Sequence, residues 1–235
     1  MQRSQAAFKA PPKKFQPHGL SILYEDRDII VADKINGLLT MSRDNTTEKT
    51  AYCLLNNYVR RGNIKSRERV FIVHRLDRDA SGVIVMAKNE DSRDYLQERW
   101  EGFKKKYIAL INGALPDKEG IITSYLAENS VHRMYSVADP ARGKLARTGY
   151  KVLRQSKRYS LIEIDLLSDR KNQIRVHFSE KGCPVSGDKK YGIKEKGVKR
   201  LALHSAELTI LHPYTGKEMS FTAKIPPYFE TLMNL

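Results

Sequence analysis

The stretch His74-Arg75-Leu76-Asp77-Arg78 holds the side chains of this sequence that are best suited to chemistry. It places a carboxylate next to an imidazole and two guanidinium groups. A carboxylate can act as a nucleophile, and a neighbouring cation favours its ionised form. The same residues also fit a solvated turn at the end of a strand, since charged groups in such places are only sometimes functional. Both interpretations are open on this stretch alone.

Two short apolar runs flank this stretch and are expected to position it. Val70-Phe71-Ile72-Val73 precedes it, and Val83-Ile84-Val85-Met86-Ala87 follows it. Both runs are rich in β-branched residues, so each predicts a buried strand. Ser81-Gly82 is predicted to supply the turn that folds the backbone back. A charged loop between two core strands is a rigid mount for a reactive side chain.

Two enzyme classes fit this stretch poorly. A kinase catalytic loop needs His-Arg-Asp with an Asn five residues after the Asp, but Leu76 splits the triplet and Gly82 occupies the later position. A metal-dependent nuclease needs converging metal ligands. Asp77 and Asp79 lie two residues apart on a turn and are expected to point apart, and the six histidines are scattered without metal spacing. The sequence therefore indicates no metal site.

The composition favours a polyanionic partner. The chain has 235 residues, of which 40% are hydrophobic, and this suits one large domain or two small lobes with a real core. Its formal net charge is +15. A chain this basic is expected to bind a polyanion, with nucleic acid first among them, and a basic protein that binds none is the alternative.

The sequence pattern shows no feature of membrane, secreted or disulfide-bonded proteins. It contains no long apolar segment, no strongly amphipathic basic helix and no apolar core of a signal peptide. Cys53 and Cys183 lie far apart and form no CxxC motif, so neither a disulfide framework nor a zinc site is indicated. We therefore expect no membrane association and a cytoplasmic location.

Apolar spacing predicts the main helices and strands. Helices are expected over residues 47–61, 90–103 and 169–181, and strands over residues 22–24, 29–32, 104–111 and, as an antiparallel set, within 119–167. Thr46 or Thr47 is expected to cap the first helix. Trp100, in the second helix, is expected to lie in the core.

The stretch His74-Arg75-Leu76-Asp77, followed by Ser81-Gly82 and Ala87-Lys88, resembles the signature of the RluA-type RNA pseudouridine synthases. Further stretches are similar to landmarks of that family: Lys34 to Leu38, Gly143 to Leu153, Arg170 to Phe178, Pro184 to Asp188, Tyr191-Gly192, Leu201 to His204 and His212 to Lys217. The resemblance covers roughly residues 20 to 230. A pattern this long and this mixed in chemistry is not expected by chance.

The resemblance implies a fold and an activity. The fold would be α+β, with a mixed, mainly antiparallel sheet flanked by helices and loops and a basic cleft for RNA. Residues 1–19 would form a flexible basic arm, and residues 20–235 the catalytic domain. The protein would isomerise specific uridines to pseudouridine in stem-loops of ribosomal or transfer RNA, as a monomer without metal or organic cofactor. The alternative is a non-catalytic RNA-binding or ribosome-assembly factor that kept the fold.

The resemblance also implies catalytic roles for three residues. Asp77 would be the nucleophile, and Arg175 the cation that keeps its carboxylate ionised and aimed. Tyr107 would be the weak base that removes the proton from C5, and its ring would stack on the uracil. Whether Asp77 attacks the base or the sugar is open at this point.

The remaining assignments concern RNA contacts and two departures from the family pattern. Arg75 would fill the gap that the flipped-out uridine leaves in the RNA, and Arg78 and Ile174 would also contact RNA. Asp169 stands where the family usually has Gly, and is expected to alter the turn into the helix because a positive φ costs other residues energy. Asn172 stands where the family usually has His, and keeps a hydrogen-bonding side chain.

Overall fold

The strand-forming runs build one β-sheet that frames the molecule. In the computed structural model, which describes residues 8–42, 49–63 and 65–234, the strands are β1 (Leu20–Glu25), β2 (Ile29–Lys34), β3 (Phe71–Ile72), β4 (Ser81–Ala87), β5 (Lys104–Asn112), β6 (Glu119–Glu128), β7 (Met134–Val137), β8 (Lys144–Gln155), β9 (Tyr159–Leu166), β10 (Leu203–Leu211) and β11 (Glu218–Thr222). Their order is β1-β2-β4-β10-β5-β9-β8-β6-β7, with β3 pairing β4 and β11 pairing β10. Among these pairs, only β4 with β10 is parallel. The predicted α+β fold with a mixed, mainly antiparallel sheet is confirmed.

The helices of the described residues are short and lie between strands or at the end of the chain. They are α1 (Ala51–Val59), α2 (Glu90–Glu98), α3 (Gln173–Glu180) and α4 (Tyr228–Met233), with 3-10 turns at Lys13–Phe15, Trp100–Gly102 and Pro140–Arg142. In the part of the chain that is described, no helix combines the length and the apolar character that crossing a bilayer requires.

The predicted helices exist, but each prediction extended too far. Helix α1 begins at Ala51, where the Thr50 hydroxyl accepts a hydrogen bond from the Cys53 N–H at 3.1 Å. The predicted caps Thr46 and Thr47 lie outside the described residues. The second helix ends at Glu98, before the 3-10 turn. The third begins at Gln173 and not at 169, because Asn172 has a left-handed backbone with φ 54°.

Strand β4 is buried on both faces at the middle of the sheet. Val83 and Val85 pack into one apolar cluster with Leu96 of α2, whereas Ile84 and Met86 pack into a second cluster that includes residues of α1 and α3. Side chains of a strand alternate between its faces, so this one strand supports two cores. The loop that precedes β4 is therefore anchored at its base.

Gly82 has a different purpose from the one predicted. Ser81-Gly82 lies inside β4, and the turn falls at Arg78-Asp79. Gly82 has φ 110°, and a Cβ at this position would lie 2.1 Å from the carbonyl oxygen of Ser205. The close approach of the parallel β4–β10 pair therefore requires a glycine here, and the prediction that it forms the turn is wrong.

The described part of the predicted basic arm lies against the first strand. The rings of Phe8 and Tyr24 are 5.5 Å apart between centroids. The Gln16 side chain donates to the Pro11 carbonyl at 2.7 Å and accepts from the Ile22 N–H at 3.0 Å. Residues 1–7 lie outside the described residues. The division of the chain into an arm and a catalytic domain at residue 19 stays a prediction.

Candidate active site

A cleft of about 570 Å³ opens where the loop before β4 meets strand β5 and the start of α3. Its lining includes residues 72–78, Trp100, Tyr107 and residues 169–175. The three catalytic candidates, Asp77, Tyr107 and Arg175, are all among the lining residues. The fold therefore brings together side chains that lie far apart in the sequence.

The loop between β3 and β4 is fixed by hydrogen bonds on both sides. The Thr40 hydroxyl donates to the Leu76 carbonyl at 2.8 Å and accepts from the Leu76 N–H at 3.1 Å. Nε2 of His74 accepts from the Val85 N–H at 3.1 Å. Burial, with the nearby charge of Lys105, lowers the pKa of His74 to about 3. The imidazole is therefore neutral near pH 7 and holds the loop as a hydrogen-bond acceptor.

Lys34, at the end of β2, holds the same loop through hydrogen bonds to its backbone carbonyls. Its side chain is fully buried, and the three N–H groups of Nζ are shared among four carbonyl oxygens, those of Ile35 (3.1 Å), Leu38 (2.8 Å), Arg78 (3.2 Å) and Ala80 (2.7 Å). Buried backbone carbonyls need partners, since an unsatisfied one costs about 1–3 kcal/mol. This lysine therefore joins the stretch Lys34 to Leu38 to the loop that carries the carboxylate of Asp77.

Replacing Lys34 with methionine is expected to lower the free energy of unfolding in a pH-dependent way. Burial lowers the pKa of Lys34 from 10.5 to about 8, although the charges of Asp77 and Asp79 oppose the shift. Between these pH values the unfolded chain binds the proton and the folded chain does not, so wild-type stability rises with pH. The advantage of wild type over Lys34→Met should grow by roughly 3 kcal/mol from pH 8 to pH 10.5. Urea unfolding across this range measures it, and a pH-independent difference would contradict it.

The Asp77 carboxylate is held from one side by two donors. Nη1 of Arg175 lies 3.0 Å from Oδ2 of Asp77, although the two residues are 98 positions apart. Nδ2 of Asn172 donates to the same oxygen at 2.8 Å. The Asp77 side chain keeps 28% of its surface exposed. The carboxylate is therefore fixed in direction while it stays accessible from the cleft.

Arg175 is itself fixed by a second, fully buried carboxylate. Its Nε and Nη2 donate to Oδ2 and Oδ1 of Asp188, both at 2.7 Å, in a bidentate pair. Burial alone would raise the pKa of Asp188, but the hydrogen bonds from Arg175 hold it below its usual 3.8. Burial would also lower the pKa of Arg175, and its pairs with Asp188 and Asp77 raise it instead. The guanidinium therefore stays charged and oriented toward Asp77.

Tyr107 lies on β5 in the lining of the same cleft and is 7% exposed. Burial raises the pKa of its hydroxyl well above the usual 10.0, and the negative charges of Asp169 and Asp77 add to the rise, while a hydrogen bond with Ser205 opposes it. The hydroxyl therefore keeps its proton at neutral pH. This shift counts against a phenolate base, and the role of Tyr107 as the base stays a prediction.

The predicted RNA-contacting residues differ in exposure. Arg75 and Arg78 are exposed and line the cleft, and Nε of Arg78 donates to the Gly37 carbonyl at 3.2 Å. Ile174 also lines the cleft, but only 5% of it is exposed because it packs in the core with Phe178. Little of Ile174 is left for RNA to contact, and the roles of these residues stay predictions.

Two more basic side chains, in addition to Arg75 and Arg78, line the cleft and form a basic rim with them. Arg170 and Lys171 line the same cleft as Arg75 and Arg78. Arg170 Nη1 also pairs with Glu101 at 2.8 Å, and Lys171 pairs with Glu128. A rim of this kind suits the phosphates of a nucleic-acid backbone, which are bound by charge without reading sequence.

Trp100 and Asp169 form a wall of the cleft that the sequence did not reveal. The Trp100 ring stacks on His74 with centroids 4.1 Å apart, and its Nε1 donates to Oδ2 of Asp169 at 2.7 Å. Trp100 packs against the core, as expected, and also lines the cleft. The positive φ expected at Asp169 lies at Asn172 instead, so that prediction is wrong. Helical spacing could not separate a core tryptophan from one at a cleft.

The fold also gathers three potential metal ligands outside the cleft lining. Ligand atoms of Asp26, Asp28 and His212 lie within 4.8 Å of one another. Oδ1 of Asp26 accepts from the N–H groups of Asp28 and Ile29, both at 2.8 Å, and its Oδ2 lies 2.7 Å from Nε2 of His212. These hydrogen bonds give the cluster a structural purpose at the turn between β1 and β2.

Comparison with known sequences agrees with this geometry. Residues 28–180 match the family described as RNA pseudouridylate synthase. An uncharacterized RNA pseudouridine synthase of Mycoplasma genitalium is 36% identical over 219 residues, which are 90% of this chain and 68% of that one. The ribosomal large subunit pseudouridine synthase D of Zymomonas mobilis is 31% identical over 92% of this chain and 72% of its own.

Solved structures with the same fold support the architecture. The human protein called RNA pseudouridylate synthase domain containing 4 superposes with a TM-score of 0.74, covering 89% of this chain and 90% of its own at 23% identity. Human RNA pseudouridylate synthase domain containing 1 superposes with a TM-score of 0.72, also at 23% identity, over 94% of this chain and 89% of its own. At this level of identity, the likeness concerns the fold.

Proposed function

This chain belongs to the RNA pseudouridylate synthase family and is an RNA pseudouridine synthase, and we propose that it isomerises specific uridines in ribosomal or transfer RNA with Asp77 as the nucleophile. The observation that carries the proposal is the 3.0 Å contact between Nη1 of Arg175 and Oδ2 of Asp77 in an open cleft. A carboxylate that is held in one direction and accessible from the cleft meets the needs of nucleophilic catalysis.

The reaction consists of four changes in the nucleotide, and its product has the same atoms as the substrate. The bond between C1′ and N1 of uridine breaks, C1′ bonds to C5 instead, C5 loses its proton and N1 gains one. Asp77 would engage the nucleotide covalently while the uracil turns. Arg175, through its 3.0 Å contact with Oδ2, would hold the direction of the carboxylate until attack.

Tyr107 would contribute its ring and its proton-bearing hydroxyl at the base of the cleft. Its ring is the aromatic surface on which the uracil would stack. A base is still required for the C5 proton, and the notable feature of Tyr107 is that burial keeps its hydroxyl protonated. We keep Tyr107 as the candidate for that proton: because its hydroxyl is protonated, its oxygen would take the C5 proton only as it passes its own proton on, to N1 of the uracil directly or through water.

The target uridine must leave its stack to reach Asp77. Flipping a base out costs a few kcal/mol, and least in a loop. Arg75, two residues before Asp77 and exposed at the cleft, would occupy the gap with its planar guanidinium. Arg78 would hold a phosphate, and the small exposed edge of Ile174 would touch the flipped nucleotide.

The RNA of the large ribosomal subunit is our first candidate for the substrate. The Zymomonas mobilis relative is named for the large ribosomal subunit, and the +15 charge of this chain suits any folded RNA. We further propose that the enzyme acts as a monomer in the cytoplasm. Transfer RNA is the second candidate.

A non-catalytic assembly factor on the same fold is not favoured. Such a factor would tolerate the loss of Asp77, Tyr107 or Arg175, since none would be needed for chemistry. All three are present, and the buried Asp188 pairs with Arg175 on the side away from Asp77. A buried ion pair is costly to keep for binding alone.

Mapping pseudouridines before and after treatment tests the function and names the substrate. Ribosomal and transfer RNA from cells that lack the gene would be mapped, incubated with the purified protein, and mapped again. We expect at least one site to be missing and to return on incubation. A site that is missing in the cells but is not restored by purified protein would support the assembly factor. If no site is missing and none forms on incubation, the proposal fails.

A further inference from the structure

We propose that Asn172 and Tyr191 form a relay that positions Asp77 and leaves its Oδ1 as the attacking oxygen. The proposal rests on Asp77 being the nucleophile. Both residues act through Asp77 and are positioning residues, and neither is asked to touch the reacting atoms.

The two donors to Asp77 converge on one of its oxygens. Arg175 Nη1 and Asn172 Nδ2 both reach Oδ2, at 3.0 Å and 2.8 Å. Within residues 8–42, 49–63 and 65–234, every hydrogen bond that this carboxylate accepts ends on Oδ2. A carboxylate with one oxygen held has a fixed direction, and the other oxygen is the one left to form a bond. Holding a group within a fraction of an ångström is what reactive geometry needs.

Tyr191 sets which way the Asn172 amide points. Its hydroxyl accepts from the Met134 N–H at 3.0 Å and donates its one proton to Oδ1 of Asn172 at 3.3 Å. With its oxygen turned toward Tyr191, the amide presents its NH₂ group to Asp77. The relay thus runs from the backbone of β7 through two side chains to the nucleophile.

Tyr191 is in turn held among cations. The guanidinium carbons of Arg133 and Arg175 lie 4.9 Å and 5.2 Å from the centre of its ring, and Nζ of Lys190 lies 5.5 Å away. The residue is 6% exposed. The hydroxyl that orients Asn172 is therefore on a side chain with little freedom to move.

The backbone conformation at position 172 limits which residues can donate a hydrogen bond to Asp77 from there. Its φ and ψ are 54° and 18°, in the left-handed region. Outside glycine, Asn, Asp and His are the residues most enriched there. Of these, Asn and His can donate a hydrogen bond to a carboxylate, whereas an ionised Asp would repel it. The requirement for both properties accounts for Asn here, in a family pattern that usually has His.

Four variants test the relay by splitting kcat from KM. Asn172→Gly removes the donor but fits the left-handed backbone, Asn172→His keeps a donor there, and Tyr191→Phe removes only the hydroxyl. Asp77→Asn reports on the proposed nucleophile. The substrate is total RNA, labelled with tritium at C5 of uridine, from cells that lack the gene, and the readout is tritium released to water together with thermal melting of each protein.

We expect Asn172→Gly to lower kcat about tenfold to a hundredfold with KM unchanged, since a hydrogen bond to a charged group is lost. Tyr191→Phe should lower kcat about threefold to tenfold, because the amide loses its orientation. Asn172→His should have a kcat much closer to wild type than that of Asn172→Gly, because it keeps a donor to Asp77. Tyr150→Phe, which removes a hydroxyl outside the cleft lining, is the matched control.

The outcomes separate this proposal from the nucleophile. If Asp77→Asn is inactive while Asn172→Gly and Tyr191→Phe keep the wild-type kcat, the relay is overturned and the nucleophile stands. An Asn172→His enzyme as slow as Asn172→Gly would also overturn it, because the donor would then not be what matters. If Asp77→Asn itself keeps the wild-type rate, the proposed function fails and the relay with it.

Discussion

An Asp77→Asn enzyme is expected to lose at least about 10⁴-fold in the single-turnover rate of pseudouridine formation, as removal of a nucleophile does elsewhere. Asparagine has nearly the same shape, and its carbonyl oxygen can still accept from Arg175 and Asn172. It cannot attack carbon at a useful rate. Tritium release from C5-labelled uridine in RNA, measured with enzyme in excess, gives this rate directly.

The fold and the RNA affinity of the Asp77→Asn enzyme should stay close to wild type. Arg175 keeps its bidentate pair with Asp188, so no buried charge is left alone. A partly exposed ion pair contributes only about 0–1 kcal/mol. Thermal melting and filter binding of RNA should therefore show little change, and the loss should lie in the chemical step.

Asp79→Asn is the matched control for that result. Asp79 lies two residues further on, is exposed, and is not in the lining of the cleft. The same chemical change there should leave the rate within about twofold of wild type, because a surface change away from the reacting atoms has small effects. Comparable losses in both variants would mean that the net charge of the loop matters and not a nucleophile at position 77.

The strands and the reactive loop could be predicted because their signals are local. Apolar runs around residues 70–73 and 83–87 gave the two strands, and the polar stretch between them gave the loop. Alternation within residues 119–167 gave the antiparallel set from β6 to β9. These patterns depend on neighbours within a few residues, which a sequence displays directly.

The partners of Asp77 could not be predicted from spacing. Arg175 lies 98 residues away, and only the resemblance to a family placed it beside Asp77. Asp188 lies in a stretch, Pro184 to Asp188, that resembles a landmark of the family, yet no local pattern shows that it forms an ion pair with Arg175. A buried ion pair of this kind is defined by the tertiary fold, because its members come from separate elements that meet only after folding.

The backbone conformations that Gly82 and Asn172 adopt could not be predicted from the sequence either. Gly82 looked like a turn residue, but the reason for a glycine is a strand 123 residues away, joined to β4 through Ser81 and His204. Asn172 looked like an ordinary helical residue, but its left-handed φ places it before the first residue of α3, which begins at Gln173. Both errors arise because the steric environment of a backbone atom is supplied by distant parts of the chain.

Asp188→Asn is expected to lower the free energy of unfolding by about 3–5 kcal/mol, because it leaves the Arg175 guanidinium buried without its full counter-charge. Oδ1 of Asp188 also accepts from the N–H groups of Lys190 and Tyr191, at 2.8 Å and 2.9 Å. An asparagine has one acceptor oxygen in place of two, and its NH₂ group would face other donors. Urea unfolding at pH 7 measures the loss.

The pH dependence of that loss has a definite sign. Because the pKa of Asp188 in the folded protein is held below the usual 3.8, the ion pair stabilises the fold fully above that pH and loses its effect as pH falls further. The gap between wild type and Asp188→Asn should therefore shrink in acid. A gap that widened in acid would mean that the pKa of Asp188 is raised in the folded protein, and would contradict the charge arrangement described for this site.

Glu163→Gln provides the contrast that makes the Asp188 result specific. Glu163 pairs with Lys106 at 3.3 Å, but both side chains are about a third exposed, so its loss should cost at most about 1 kcal/mol. Asp188→Asn should in addition slow catalysis, since Arg175 would then be held only through Asp77, whereas Glu163→Gln should not. If both variants lost equal stability and neither lost activity, the Asp188–Arg175 pair would contribute no more than an exposed ion pair does, and our account of it would be wrong. The support of Arg175 would then have to come from the backbone of α3 and the ring of Tyr191.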